Sequence, residues 1–354
     1  MNIGLPSALG TEKSLNSLRL LGLLVAILII AAVIQVQRPT FLSPENMTTL
    51  VRSMIALGMV AFAQLLVIML GEIDLSVGAV YGLASIVTAT LWLGGGALPF
   101  TVPLLVAIMA GVGVALIVGF VNGFLNVHAG LPSFIATLGM MSVADGVQLL
   151  VSNANTFTPA YNNPRPPEWE LNLFNWLGAN PLFGRVPVEI LWLIFALILF
   201  WVLRHRTVFG FRLLAMGGNM EAAKVARLPV RKYRYLVFVI AAVMAALAGL
   251  ADFSYVGSVG PSQAGNLLFS AIAAVVIGGA SLNGGRGTVL GTLLGVILLA
   301  MLNNGLALLG VGSFVQLIFI GLVTIGAVWL DIGSQRLIRS AGQRSAKLKA
   351  EKLS

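Results

Sequence analysis

Cysteine is absent from this 354-residue chain, which excludes disulfides, thiolate nucleophiles and sulfur-ligated metals. Imidazole is almost as scarce: His128 and His205 are the only histidines, too few for a histidine-based metal centre. No metal site and no bound cofactor are therefore expected. Charge is sparse too, at 9% Asp, Glu, Lys and Arg against about 25% in a soluble domain. None of the lysines follows a glycine, so the Gly-Lys-Ser/Thr that closes a phosphate-binding loop is missing and the chain is not expected to hydrolyse ATP. The apolar segments hold no converging set of acids, histidines and nucleophile, which argues against an integral membrane enzyme.

Apolar sequence is what the chain has in abundance. Hydrophobic residues make up 58% and the mean hydropathy is +0.98. A segment in lipid must satisfy its own backbone hydrogen bonds, so the composition predicts an all-α polytopic membrane protein. Runs approaching the roughly 20 residues that cross a bilayer fall at 18–36, 48–70, 75–93, 101–125, 132–152, 187–203, 235–253, 266–280, 288–309 and 313–332, ten spans in all. The first follows Lys13 and Arg19 but is too long for a secretory signal and lacks a small-residue cleavage site, so it is read as a retained helix. With both termini cytoplasmic, all of the 21 Lys and Arg except Arg38, Arg52, Arg165 and Arg185 fall on the inner side. That asymmetry fixes the orientation, and it explains the net charge of +9 without nucleic acid.

The stretch Met69-Leu-Gly-Glu-Ile-Asp-Leu-Ser-Val-Gly78 puts two carboxylates and two glycines between apolar runs, where polar backbone needs a turn, an interface or protein cover. Glu72, Asp74 and Gly78 are hinge or gate candidates. An internal match lays Val67 on Val276, Gly78 on Gly287, Gly82 on Gly291 and Val87 on Val296, with Asp74 on Asn283, so Asn283 and Gly287 join them. The two segments cross in the same sense, which describes a parallel repeat of helix, inner turn and helix. Asp and Asn also cap helix N-termini, so a plain cap is the competing reading of Asp74. Small residues recur at every fourth position at Ala107, Gly111, Ala115, Gly119 and Gly123, and again at Gly287, Gly291 and Gly295, a spacing that predicts close helix seams.

Residues 204–234 form a basic loop in which Gly217, Gly218 and Asn219 are expected to make a turn and a cap, Met220 to Arg227 a short helix, and Pro229 its end. The loop reads either as a lever that transmits motion or as a basic patch on anionic lipid. On the other side, residues 153–186 carry Pro164, Pro166 and Pro167, followed by Trp169, Leu173, Phe174, Trp176 and Leu177. This is either a membrane-surface anchor or a platform for an external partner.

Four ordered segments carry a resemblance. They are the Ile73-to-Gly78 hinge, Ala215-Met-Gly-Gly-Asn-Met-Glu-Ala-Ala-Lys224, the run Ala271 to Gly287, and Asn303-Asn304-Gly305 with Leu308 to Gly312. Together they are similar to the permeases of ribose-type ATP-driven sugar importers. The resemblance implies a permease domain over 18–332 with a cytoplasmic coupling loop at 204–234 and a periplasmic loop at 153–186, flanked by a cytoplasmic segment, 1–17, and a basic cytoplasmic tail, 333–354. It also implies a bacterial inner-membrane location, a second permease copy or paralogue, a periplasmic sugar-binding protein, and a cytoplasmic ATPase that holds the ATP and Mg. Coupling to that ATPase would fall to Gly218, Asn219, Glu221, Ala222, Ala223, Lys224 and Arg227. Arg227-Leu228, Ser270 and Asp145 depart from the pattern common in the family, which bears on the solute and not on the transport role.

For the solute pathway the sequence offers Gln64, Asn122, Asp145, Gln148, Asn303, Asn304 and Gln316, each of which could equally make an interhelical hydrogen bond. The competing function is an ion-coupled secondary transporter, whose proton relay would need Asp145 and Asp252.

Overall fold

The computed structural model describes the backbone of residues 7–326 except 183 and 185, together with Trp329, with side chains from Arg19 onward. The predicted basic tail at 333–354 lies outside the described residues, as does the segment 1–6 of the predicted N-terminal stretch.

Among the described residues the fold is helical apart from a two-stranded ribbon, Pro181–Leu182 with Val186–Pro187. The helices are α1 (Ser7–Gln37), α2 (Pro44–Leu70), α3 (Val77–Leu93), α4 (Leu104–Val127), α5 (Ser133–Ser152), α6 (Glu168–Asn175), α7 (Ile190–His205), α8 (Val208–Gly218), α9 (Met220–Val225), α10 (Val230–Val256), α11 (Leu267–Ile277) and α12 (Val289–Leu308). A further apolar helix, α13, covers Ser313–Gly326.

Every predicted run contains a helix, but they differ in reach. Among the described residues six are long and apolar enough to cross a membrane: Arg19–Gln37 of α1, then α2, α4, α5, α10 and α12. The pair α7 and α8 is bent by 68°, and α3, α11 and α13 are shorter. The run 266–280 departs furthest from expectation, because α11 has 11 residues. At about 1.5 Å per residue it covers roughly half of a 30 Å hydrocarbon core.

Burial sorts these helices into a centre and a rim. The apolar stretch of α2 is 83% buried within the protein and that of α1 only 6%. A helix apolar on all sides belongs in the middle of a bundle, and every residue of α2 from Leu57 to Leu70 is buried. Around it pack α10, α12, α7 and α11, while α10 also lies along α4 and α3. Outward faces on the rim helices carry Leu24 and Leu28, Ile117 and Phe120, and Ile194 and Ile198, all exposed, which is the surface lipid would cover.

The small-residue seams form as the spacing requires. A Cβ on Gly111 would come 2.5 Å from the Ala84 carbonyl oxygen of α3, and one on Gly119 2.8 Å from the Phe238 carbonyl oxygen of α10. Gly291 and Gly295 meet α11 and its exit in the same way, at 2.0 Å from the carbonyl oxygens of Gly278 and Ala274. These backbones approach more closely than any side chain permits, which gains dispersion contacts that lipid does not replace.

The segment expected to be external packs part of its apolar face against the helices. α6 buries Leu171 and Phe174 against Trp92 and Phe253. Its buried Glu170 accepts from Trp92 Nε1 and, at 3.2 Å, from Leu104 N, the first amide of α4. A carboxylate there satisfies an N-terminal donor and complements the helix dipole. Trp169 and Trp176 remain exposed.

Candidate functional site

α2 closes on Gly71, whose φ of 86° is the left-handed conformation that glycine adopts at little cost, and its N–H donates to the Ile68 carbonyl. The five residues that follow are held from three directions. Gln64 Nε2 of α2 donates to the Asp74 carbonyl at 3.1 Å. Asn122 Nδ2 of α4 donates to Ser76 Oγ at 2.8 Å. From α5, Ser133 Oγ accepts from Ile73 N at 3.1 Å and Thr137 Oγ1 from Leu75 N at 2.9 Å.

Asp74 itself is not the cap of α3. Its Oδ1 accepts from Ser76 N at 2.8 Å and from Ser76 Oγ at 2.7 Å, a local turn, and Ser76 occupies the N-cap position. Asn283 is likewise not the cap of α12, because Thr288 holds that place and accepts from Gly291 N at 3.0 Å. Burial pushes the Asp74 carboxyl from 3.8 up to about 6, against the opposing pull of its Ser76 hydrogen bonds. A folded-state value above the unfolded one means that this group favours folding below about pH 3.8 and that the contribution is lost as pH rises through about 6, on the order of 3 kcal/mol. The melting temperature of the wild-type protein in detergent is therefore expected to fall between pH 4 and 7 more steeply than that of Asp74→Asn, which keeps the Oδ1 acceptor; parallel slopes would refute the assignment.

Glu72 faces the other way and joins the hinge to α10. It is 7% exposed and its Oε1 lies 2.9 Å from Arg234 Nε, an ion pair whose N–H is not aligned for a hydrogen bond. Asn126 Nδ2 adds a long contact to Oε2 at 3.4 Å.

The turn between α11 and α12, the second hinge candidate, reaches the first directly. Gly285 N donates to the Met69 carbonyl at 2.9 Å. On this junction sits the end of α8. A Cβ on Gly217 would lie 1.8 Å from Met69 O and 2.6 Å from Gly285 N, and one on Gly285 would lie 2.6 Å from Gly218 Cα. Three backbones thus meet where all three chains are glycine or expose a carbonyl. Gly217 and Gly218 are not the expected turn but the last residues of α8. Asn219 then caps α9 by accepting from Ala222 N at 2.9 Å. On α9, Ala223 is buried, Ala222 is exposed, and exposed Glu221 and Lys224 pair at 2.7 Å. Arg227 is exposed with φ of 56°, and Pro229 immediately precedes α10 and starts it, α9 having ended at Val225.

Comparison with known proteins places this arrangement. Residues 46–328 match the family described as "Branched-chain amino acid transport system / permease component". The chain belongs to this permease family. It is 36% identical over 311 residues to the ribose import permease protein RbsC of Bacillus subtilis, covering 88% of this chain and 92% of that protein. Over 312 residues it is 37% identical to the probable ABC transporter permease protein YphD of Escherichia coli, covering 88% and 89%. The L-arabinose ABC transporter permease protein AraH of Azospirillum brasilense is 32% identical over 311 residues, covering 88% and 86%. No solved structure matches the chain.

In this permease the predicted pathway residues make their hydrogen bonds at separate places in the fold. Gln64 and Asn122 belong to the first hinge, as described, and Gly78 is buried against Leu268 at the start of α11. Asp145 Oδ1 accepts from Gln148 Nε2 at 2.9 Å, and Gln148 also bonds the Ala79 carbonyl at 3.1 Å and Ser262 N at 3.2 Å. Asn304 exchanges hydrogen bonds with Asn46 at 2.9 Å, tying α12 to the start of α2. Asn303 is half-buried on α12, Gln316 Nε2 of α13 donates to the Val311 carbonyl at 2.7 Å, and Gly287 is buried against Leu65. Asp252, the second acid of the relay reading, is held by Arg52 at 3.7 Å, and that guanidinium also stacks 3.5 Å over the Tyr255 ring.

Reading the sequence missed Gly284, Gly285, Ser133, Asn126 and Arg234 as parts of the site. The signal available was the pair of Gly-Gly doublets, Gly217-Gly218 and Gly284-Gly285, which fit one another backbone to backbone. Arg234 was legible only as one more basic charge.

Proposed function

We propose that this chain is the membrane permease subunit of an ATP-driven importer that moves a sugar or polyol from the periplasm to the cytoplasm, with ATP and Mg held by a separate ATPase. The observation that carries the mechanism is the seat of α8 on both hinges through Gly217, Met69 and Gly285. A push on the exposed surface of α9, at Glu221, Ala222 and Lys224, reaches both hinges through backbone contact without a flexible side chain in between. Relatives named as ribose, arabinose and ABC permeases support the solute class and the ATPase partner.

In this reading the chain is non-catalytic and lies in a bacterial inner membrane with both termini cytoplasmic. α3, α7, α11 and α13 count as crossings beside the six long helices, which gives ten, arranged as a parallel repeat. A second permease copy or paralogue completes the pathway, and a periplasmic sugar-binding protein delivers solute to it. The Arg52–Asp252 ion pair supports this reading over an ion-coupled carrier, because it neutralises one of the two acids a relay needs.

Uptake by permease reconstituted with its ATPase and binding protein is expected to require ATP; uptake undiminished without the ATPase would end the proposal. The lack of cysteine makes orientation simple to read. Met220→Cys in right-side-out cells is expected to resist an impermeant maleimide until the membrane is opened. Labelling from outside would overturn the topology.

A further inference from the structure

Charged side chains from α2, α10 and the residue before α7 meet inside the bundle, at the end where α2 and α7 begin. Arg52 of α2 pairs with Asp252, near the end of α10, at 3.7 Å, and its guanidinium lies 3.5 Å over the Tyr255 ring. Glu189, at the N-cap of α7, is within electrostatic reach of both, and the Tyr81 hydroxyl of α3 interacts with the Asp252 carboxylate. Two hydrogen-bonding atoms are left over. Glu189 is 1% exposed and its Oε2 is buried without a hydrogen-bond partner among the described residues, as is Arg52 Nε. Each such atom costs free energy until a partner arrives, so a spare acceptor and a spare donor in one cluster point to an occupant. The side chains of Arg52 and Asp252 keep 32% and 20% of their surface exposed, which gives an occupant a way in. From the irregular stretch 257–266, Gln263 joins the cluster: its Nε2 makes a long contact to Asp252 Oδ2 at 3.4 Å, and its Oε1 accepts from Gly260 N at 3.2 Å.

The mixture of groups selects the class of ligand. A hydroxyl both donates and accepts, so neighbouring hydroxyls on one small molecule serve Glu189 Oε2 and Arg52 Nε together. An anion would meet two carboxylates, and a metal cation would be repelled by the guanidinium. We propose that this cluster is a binding site for a neutral polyhydroxylated solute, held by Glu189, Asp252 and Gln263 on one side and by Arg52 on the other. Tyr255 acts through Arg52, fixing the plane of its guanidinium. Ionisable groups at membrane depth mark solute pathways, and this cluster adjoins two candidates already described. Ser262, next to Gln263, donates its N–H to Gln148, which in turn holds Asp145. That the solute is a sugar or polyol rests on the importer proposed above, and in its topology the site lies at the outer entrance.

The test reads protection of a single cysteine at the rim of the cluster, which a chain without native cysteine makes unambiguous. Ser262→Cys is a near-isosteric change at an exposed residue. Its rate of maleimide labelling is measured on the full chain in detergent micelles with millimolar D-ribose, L-arabinose, D-glucose or myo-inositol, and with betaine, which has no hydroxyl, and sodium chloride as controls. At least one polyhydroxylated probe is expected to slow labelling, and neither control is. On the same background Glu189→Gln and Arg52→Lys are each expected to weaken binding of the protecting probe about tenfold, the loss of one hydrogen bond to a charged group. An unchanged melting temperature and labelling rate without sugar separate lost binding from lost folding; where one variant fails that check, the other decides. Absence of protection by every probe, equal protection by betaine, protection by sodium chloride alone, or unchanged protection in a folded Glu189→Gln or Arg52→Lys would overturn the site. No ATPase enters this measurement. Uptake undiminished without the ATPase would therefore end the importer and leave the site standing, whereas absent protection would remove the site and leave the importer.

Discussion

Gly217→Ala is expected to abolish ATP-coupled uptake, while Gly218→Ala, one residue along the same helix, retains it. The contrast follows from where the two added methyl groups go. At Gly217 the Cβ would stand 1.8 Å from the Met69 carbonyl oxygen, and both the obstacle and its other neighbour at 2.6 Å, Gly285 N, are backbone. Nothing lies within 4 Å of the corresponding position at Gly218. Backbone cannot rotate aside as a side chain does, so α8 must lift off the hinges or the hinges must part. Overpacking of this kind costs typically 1–3 kcal/mol, enough to shift a switch whose states differ by a few kcal/mol. The measurement is ATP-dependent uptake in vesicles beside melting temperature in detergent. A Gly217→Ala protein with normal coupled uptake would show that the seat does not transmit motion.

Glu72→Gln and Arg234→Gln are each expected to destabilise the permease by about 3 kcal/mol, toward the low end of the range for breaking a buried ion pair because Arg234 keeps partial solvent access. Either change leaves its partner's charge desolvated and uncompensated beside the first hinge. The double variant removes both charges and is expected to recover most of the loss, since the penalty lies in the orphaned ion more than in the missing attraction. A double-mutant cycle on melting temperature and uptake measures this coupling. Losses that simply add would mean that the 2.9 Å approach of Arg234 Nε to Glu72 Oε1 contributes nothing.

Much of this architecture was legible because long apolar runs leave lipid-spanning helices few alternatives. The seams at Gly111, Gly119, Gly291 and Gly295 were legible for the same kind of reason: a four-residue spacing of small side chains has one geometric meaning, a stripe along a helix. Length was less legible. The run 266–280 is uniformly apolar, but helix α11 occupies only Leu267–Ile277, and hydropathy does not tell a half-length helix from the buried turn that follows it. Gly217 and Gly218 misled by propensity. Glycine weakens a helix by about 1 kcal/mol relative to alanine, yet the last turn of α8 holds Gly217 because the neighbouring backbones leave no room there for a side chain; the space around Gly218 is open and does not explain the second glycine. Asp74 misled by position: it sits two residues before the N-cap and builds the turn that delivers Ser76 there. The scattered amides Gln64, Asn122, Gln148 and Asn304 could not be sorted from sequence, because a hydrogen bond to a neighbouring helix and one to a passing solute need the same chemistry.

The short reach of α11 has a consequence for the barrier itself. A helix of 11 residues leaves the irregular stretches 257–266 and 278–288 to fill the remaining thickness at either end. Unpaired peptide groups at such depth persist only against protein or beside water. Where α11 counts as a crossing, the seal at its two ends is therefore made by irregular chain and its packing neighbours and not by helix.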